Sequence, residues 1–564
     1  MTGEPLWRTR RETGGDPPRE PGPIDLTRYV LERPNQNPAQ TFLKLPLALT
    51  EADLRAGDVD VAICGVPFEM VMSAGGMSYG PQAIRGAEYL PVPPLEKPHL
   101  AVGVDPFEVL RIVDYGDAGV TPYDIAATHD SIQQFVAEIV RAGAVPIVLG
   151  GDHSITRPVV CALAEAHGAG TVGLLHFDAH ADTAPDSYGS PIGQGSPMRR
   201  LIEDGVVPGR NVVQVGLRGY WPGADVLAWM AEQEVRIHTM DAIDRHGLQR
   251  VLDQAIDEVR DGVEHVYVSL DIDVLDPSVA PGTGGLEPGG LTTRELLPAL
   301  RRVAAEAEIC GMDVVEVSPL LDNRSRITAI AAHRAVLEAL TGMAMRRLTG
   351  TLLDIYLGPT IGRRILQGEV RRGHGERLRA VLMAIDLRGF TSLSDRLPPD
   401  ELISLLDAYF DAAAKAIARY GGEVLKFVGD GVLAIFPTAE GEERQMAAAA
   451  LAAGEAILER LASENVARSA AGQPLIRIGI GLHLGEVFYG NVGAADRLDF
   501  TAIGPAVNLA CRLEGLTKRM GRPLILSKDF AGFCDRKLLS LGFQPVKGLG
   551  EPEEVFALAE GPAS

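Results

Sequence analysis

Two rhythms of apolar and polar residues run along this chain. Between about 58 and 345, short apolar runs alternate with longer stretches whose apolar residues recur every three or four positions. The runs VDVAICGVPF (59–68), AVPIVLG (144–150), TVGLLHF (171–177), NVVQVGL (211–217), HVYVSL (265–270) and GMDVVEV (311–317) read as buried strands. SIQQFVAEIVRAG (131–143) and LQRVLDQAIDEVRDG (248–262) have helical spacing. Such alternation predicts a three-layer α/β/α unit around a mostly parallel sheet. Ligands of such sheets bind beyond the carboxyl ends of the strands.

The second rhythm runs from about 378 to 560. It reads strand (LRAVLMAIDL, 378–387), helix (401–420), hairpin (GEVLKFVGDGVLAIFP, 422–437), helix (446–462), strand (476–493), then NLACRLEGLTK (508–518). The hairpin turns at Val428-Gly429-Asp430-Gly431, with Asp-Gly as its signal. This order predicts an α+β domain of ferredoxin-like type. Between the two rhythms, Arg346, Arg347, Arg363, Arg364, Arg371 and Arg372 punctuate a Gly-containing stretch, read as a linker with a short helix. The expected boundaries are a disordered or extended segment at 1–45, a first domain at 46–345, a linker at 346–377 and a second domain at 378–560.

The 564 residues exceed what one core accommodates, in line with two domains. A formal net charge of −22 argues against nucleic acid or an anionic membrane as partner. The five cysteines form no CxxC pair, which fits a reducing cytoplasm and small buried thiols. Residues 1–24 are rich in Pro, Gly and Arg without the apolar centre of a signal peptide. No apolar run reaches the length of a membrane span.

Chemistry concentrates at the ends of three strand-like runs: Gly-Gly-Asp-His-Ser (150–154), Asp-Ala-His-Ala-Asp (178–182) and Asp-Ile-Asp (271–273). On extended backbone, ligand types at every second position share one side. Carboxylates so crowded repel unless cations neutralise them. Asp and His without Cys suit Mn²⁺ better than a structural zinc.

With GPQAIR (80–85), HFDAHADT (176–183), GLRGYWP (216–222), SLDIDVLDPSVAPGTG (269–284) and DVVEVSP (313–319), residues 58–345 resemble the ureohydrolase family of arginase and agmatinase. The resemblance implies two Mn²⁺ ions, one held by His153, Asp178, Asp182 and Asp271, the other by Asp178, His180, Asp271 and Asp273. It implies attack of hydroxide on a guanidinium carbon, releasing urea and an amine, with Glu316 accepting the guanidinium hydrogen bonds. One position departs from the pattern: Gln194 stands where the family carries a proton-relaying His. A carboxamide is no acid near neutral pH. The segment 68–79 (FEMVMSAGGMSY) is expected at the pocket mouth and has no cation for an α-carboxylate, which disfavours arginine relative to decarboxylated or small guanidines.

In the second half, Asp386 ends an apolar run and Asp430 sits in the hairpin, a pair suited to two Mg²⁺ or Mn²⁺ ions on a triphosphate. With DLRGFTSLS (386–394), KFVGDG (426–431), RIGIGLHLGEVFYGNVG (477–493), TAIGPAVNLACRLE (501–514) and VKGL (546–549), residues 350–560 resemble the class III nucleotide cyclases. The resemblance implies that Asp386 and Asp430 hold the metals. It gives Asn508 and Arg512 the ribose and the charge at the α-phosphate, and Lys547 the terminal phosphates. Lys426 and Thr501 fall on the purine-selecting pair and favour ATP. It further implies a homodimer at least, since such sites draw on two protomers; combined with ureohydrolase trimers, a hexamer is expected. Two functions remain open: a bifunctional enzyme making urea and cyclic AMP, or an adenylate cyclase regulated by a guanidine-binding domain of weak turnover.

Overall fold

The computed structural model describes residues 19–26, 40–70, 75–87, 98–187, 189–357, 375–493, 498–546 and 551–559. The chain divides into two compact units, Met1–Leu348 and Thr349–Ser564.

The first unit is built on eight strands: β1 (Val61–Gly65), β2 (Ile112–Asp117), β3 (Val145–Leu149), β4 (Val172–Phe177), β5 (Val212–Val215), β6 (Arg236–His238), β7 (His265–Asp271) and β8 (Ile309–Val315). Their order is β2-β1-β3-β8-β7-β4-β5-β6, and every pairing is parallel. Strand side chains alternate between two cores. Val61, Ile63, Leu175 and Phe177 face one, with helices α3 (Leu248–Val259), α4 (Thr293–Glu306) and α5 (Ile327–Leu357). Ala62, Cys64, Val172 and Leu174 face the other, with α1 (Ile125–Arg141) and α2 (Thr156–His167). These are the three layers the alternation predicts.

All six apolar runs form strands. Two strands lack that signature. β2 carries Asp114 in the buried sheet, a position tolerable only because the Arg85 guanidinium grips it with Nε–Oδ2 at 2.8 Å and Nη2–Oδ1 at 2.9 Å. β6 has three residues at the sheet edge, too few to show a pattern. Helix α1 begins at Ile125, six residues before its apolar repeat, because Asp124 caps it by accepting the Ala127 N–H.

The strand order determines where chemistry gathers. β3, β8, β7 and β4 are consecutive in the sheet although β3 and β8 lie far apart in sequence. Their carboxyl ends carry His153, Glu316, Asp271–Asp273 and Asp178–Asp182 respectively.

The second unit contains β9 (Gly375–Leu387), α6 (Pro399–Arg419), β10 (Glu423–Val428), β11 (Gly431–Thr438), α7 (Glu443–Ala470) and β12 (Ile478–Gly493). This βαββαβ series lies in the order β10-β11-β9-β12 with antiparallel neighbours, the ferredoxin-like arrangement. After it come β13 (Leu498–Ile503), α8 (Pro505–Met520), β14 (Leu524–Ser527), β15 (Leu538–Gln544) and β16 (Glu553–Leu558). Val381, Met383 and Ile385 pack with α6 and α7, while Ala380, Leu382 and Ala384 pack on the other face with Ala506 and Ala510 of α8. Helix α8 lies so close to β12 that a Cβ on Gly481 would stand 2.3 Å from the Ala510 carbonyl oxygen. Among the described residues, no helix is long and apolar enough to cross a membrane.

Candidate active sites

The first site begins at the loop after β3. A Cβ on Gly151 would lie 1.7 Å from the Phe68 carbonyl oxygen, so only glycine lets the chain turn there and deliver His153. His153 is buried, and its Nδ1 stands 2.9 Å from Asp182 Oδ2, 3.2 Å from Asp271 Oδ2 and 3.3 Å from Asp178 Oδ2. His180 Nδ1 lies 2.9 Å from Asp273 Oδ2 and 3.6 Å from Asp178 Oδ1. Asp178 therefore belongs to both groups, and its oxygens lie within 4.8 Å of the ligand atoms of His180 and Asp273.

The convergence differs in origin from the extended-strand expectation. β4 ends at Phe177, and Asp178–Asp182 is a loop in which Asp182 takes a left-handed conformation (φ 49°). After Asp271 the chain enters a 3₁₀ turn, Ile272–Val274, and the Asp273 N–H donates to Asp271 Oδ1. Turns, not strand alternation, aim these carboxylates inward.

Hydrogen bonds behind the ligands fix their protons. The Ser269 hydroxyl donates to Asp313 Oδ1 at 2.8 Å, so its oxygen is left to accept His153 Nε2–H at 2.9 Å. Asp313 also accepts from Tyr267 OH and Thr156 Oγ1. With a proton on Nε2, His153 turns Nδ1 toward three carboxylate oxygens, and Nδ1 has no directed hydrogen bond. Three buried carboxylates converging on one nitrogen repel one another unless a positive charge, a proton or a metal ion, stands among them. Opposite, the Gln214 amide nitrogen donates to the Ala181 carbonyl oxygen, so His176 Nδ1 accepts from that same nitrogen. The His176 proton then sits on Nε2, 2.7 Å from Asp178 Oδ2. His176 Nε2 thus faces Asp178 without a directed hydrogen bond, and its place beside His153 and Asp178 lies within reach of a metal.

Electrostatics show the same imbalance. Burial, with Asp273 and Asp178 beside it, pushes Asp271 well above the carboxylate range. Burial and the Asp178 charge push Asp273 up to about 6. Burial opposes the charge on Asp178, but His176, His153 and His180 hold it well below its ordinary value. Burial likewise opposes charge on His153, yet the surrounding Asp178, Asp182 and Asp271 carboxylates hold the imidazole well above its usual range. A site this rich in uncompensated anions fits divalent cations.

Glu316 sits at the end of β8 in a left-handed conformation (φ 62°) that is strained for this residue type, and its Oε1 accepts the His153 N–H at 2.8 Å. Burial and the neighbouring Asp152 charge push its carboxyl well above the ordinary value. A cleft of about 220 Å³ opens here, lined by His180, Asp182, Gln194, Gly195, Trp221, Asp271, Asp273, Gly285 and Glu316. Gln194 is thus brought to the same cleft as the ligand groups. A Cβ on Gly285 would fall 2.8 Å from His180 Cε1, so that wall must be glycine. Of the 68–79 segment, 71–74 lie outside the described residues; Met70 N–H donates to Asp152, whose neighbour is His153.

In the second unit, the turn of the β10–β11 hairpin is Gly429-Asp430, with Val428 paired to Gly431 and Gly429 at φ 63°. β11 pairs with β9, which brings Asp430 beside Asp386: a Cβ on Gly431 would stand 3.4 Å from Asp386 Oδ1. Burial and then the Asp430 charge push Asp386 up to about 6. A carboxylate raised by its neighbour's charge suits a cation. Lys426 is half-buried on β10, and Thr501 is buried on β13. Asn508 and Arg512 are one turn apart on α8. Lys547 lies outside the described residues. Glu514, to which the motif around Asn508 and Arg512 gives no role, lies on the side of α8 facing Gly479, whose cross-strand partner is Asp386. Burial and the Asp386 charge push its carboxyl up to about 7.

Residues 59–342 match the arginase family model. The chain belongs to the arginase family. Within its first unit it is 37% identical over 306 residues to proclavaminate amidinohydrolase of Streptomyces clavuligerus, covering 53% of this chain and 91% of that protein. It is 38% identical over 302 residues to agmatinase of Chromobacterium violaceum (52% and 87% covered). It is 34% identical over 303 residues to guanidinobutyrase of Pseudomonas aeruginosa (54% and 92% covered). Residues 376–521 match the adenylate and guanylate cyclase catalytic domain model. An arginase-family domain is therefore followed by a cyclase catalytic domain in one chain.

Proposed function

We propose that the first unit hydrolyses a guanidino compound to urea and an amine with two Mn²⁺ ions, and that the second converts ATP to cyclic AMP and pyrophosphate with two Mg²⁺ or Mn²⁺ ions. The observation that carries the first half is His153 Nδ1, bare of a hydrogen bond and facing three carboxylate oxygens. His153, Asp178, Asp182 and Asp271 hold one ion; Asp178, His180, Asp271 and Asp273 hold the other. Mixed oxygen and imidazole ligands without thiolate favour manganese over a structural zinc. Such a pair supplies water of lowered pKa at neutral pH. Glu316 accepts the guanidinium N–H groups and holds the carbon over the ligand cluster, its own direction set by the His153 N–H. Gln194, on the cleft wall, hydrogen-bonds the departing nitrogen but has no proton to give at neutral pH.

In the second unit, Asp386 and Asp430 hold the metals. Lys426 and Thr501 select adenine, Asn508 and Arg512 orient ribose and α-phosphate, and Lys547 binds the terminal phosphates. The assembly is a homodimer at least, and a hexamer if a three-fold axis of the first unit crosses that two-fold. Asp178→Asn abolishes urea formation and Asp386→Ala abolishes cyclic AMP formation, each followed by product assay; retention of either product overturns the corresponding half.

Gln194 favours a second reading. Here the first unit binds a guanidino ligand, turns it over slowly or not at all, and adjusts the cyclase. Cyclic AMP rates with and without guanidino compounds decide it, since coupling between sites is a reciprocal free energy. Urea without coupling supports the first reading, and coupling without urea supports the second.

A further inference from the structure

The cleft of the first unit has one large apolar wall. Trp221, in the loop after β5, lines it and remains 57% exposed. A tryptophan left this open beside Asp182, Asp271, Asp273 and Glu316 has a free face for a ligand. Three arginines lie near the cleft in sequence, and each is committed elsewhere. Arg218 Nη2 donates to the carbonyl oxygens of Asp273 and Glu287, both at 2.7 Å. Arg199 stacks on Trp229 with its guanidinium 4.1 Å from the ring centre, and pairs with Glu203. Arg200 bonds the Pro185 carbonyl oxygen and Glu203. Among the described residues, the cleft is lined by no lysine or arginine. The Glu287 carboxylate lies 2.6–2.9 Å from where a Gly219 Cβ would stand; Gly219 is two residues from Trp221, and Glu287 two residues from the cleft residue Gly285.

We propose that Trp221 is a specificity-determining residue that packs against the carbon chain of the bound guanidino compound, and that the cleft selects a chain ending in an ammonium over one ending in a carboxylate. The inference rests on the guanidine-binding reading of this site. The ring face carries negative electrostatic potential and attracts a cation, while its hydrocarbon surface covers methylenes. A carboxylate tail finds no cation in this wall, since Arg218, Arg199 and Arg200 are engaged elsewhere; an ammonium tail meets the Trp221 ring, with the Glu287 carboxylate two residues along the chain from the cleft residue Gly285.

The test uses the full-length manganese-loaded protein with aminobutylguanidine, guanidinobutyrate and methylguanidine. Binding is read by calorimetry and turnover by urea release. Aminobutylguanidine binds more tightly than guanidinobutyrate. Relative to methylguanidine, Trp221→Ala weakens aminobutylguanidine about tenfold, a loss within the range of a cation–π contact, and acts on KM more than on kcat. Trp221→Phe recovers most of the loss. Equal affinity for the two chain-bearing compounds overturns the inference. So does a Trp221→Ala loss as large for methylguanidine as for aminobutylguanidine, or absence of binding heat with both chain-bearing compounds. Selective binding without urea instead leaves the inference standing and overturns the hydrolytic reading.

Discussion

Replacing Ser269 with alanine removes a single buried hydroxyl, and its consequence follows from where the protons lie. Ser269 accepts His153 Nε2–H at 2.9 Å and donates to Asp313 Oδ1 at 2.8 Å. After Ser269→Ala the imidazole N–H is buried without an acceptor, a penalty of about 1–3 kcal/mol. At about 1.4 kcal/mol per factor of ten, the tautomer that presents Nδ1 to a metal loses roughly 10-fold to 100-fold in affinity, the range found when an outer partner of a ligand histidine is removed. Asp313 keeps its bonds from Tyr267 and Thr156, so the strand pair β7–β8 holds. The assay is manganese titration by calorimetry or by the electron paramagnetic resonance of free Mn²⁺, with thermal unfolding of the metal-free protein alongside. An unchanged manganese affinity refutes the proton assignment. A collapse of the metal-free protein that accounts for the whole loss refutes it as well.

Four further outcomes are expected. Gln194→His raises urea release by roughly 10²–10⁴-fold, the usual contribution of a positioned acid, and an unchanged rate shows that proton delivery does not limit turnover. Lys426→Glu lowers the preference for ATP over GTP in cyclic nucleotide formation; an unchanged ratio removes the case for adenine selection. Gly481→Ala places a Cβ 2.3 Å from the Ala510 carbonyl oxygen, and overpacking of that kind destabilises the second unit by about 1–3 kcal/mol in denaturant unfolding. For Asp53, burial opposes its charge, yet the Gly22 N–H, Arg19, the Leu49 N–H and Thr50 hold the carboxyl down at about 2. A depressed carboxylate stabilises the fold above its unfolded value near 4 and ceases to do so as pH falls through 2. The stability gap between wild type and Asp53→Asn is therefore full at neutral pH and closes between those two values.

The sequence carries the strands and the ligand types, because continuous apolar runs ending in Asp and His are local signals. It carries neither the strand order nor the partners. That β8 and β7 insert between β3 and β4 decides which ligands meet, and no local pattern encodes it. His176 sits inside the apolar run TVGLLHF and reads as core; only Gln214, on the adjacent strand, reveals which nitrogen carries its proton. Asp114 interrupts the apolar pattern of β2, and its burial makes sense only with Arg85 against it. Glu514 is hidden for the opposite reason: its neighbour Arg512 supplies the motif, while Glu514 itself faces Gly479 on the far side of the helix. Ligand identity is thus a local property, and ligand protonation a tertiary one.

If the His153–Asp178–Asp271 cluster hydrolyses a guanidine while the same chain makes cyclic AMP, one manganese-loaded sample given ATP and aminobutylguanidine yields both urea and cyclic AMP. Urea alone is lost in Asp178→Asn. Cyclic AMP without urea at full manganese occupancy contradicts hydrolysis at that cluster.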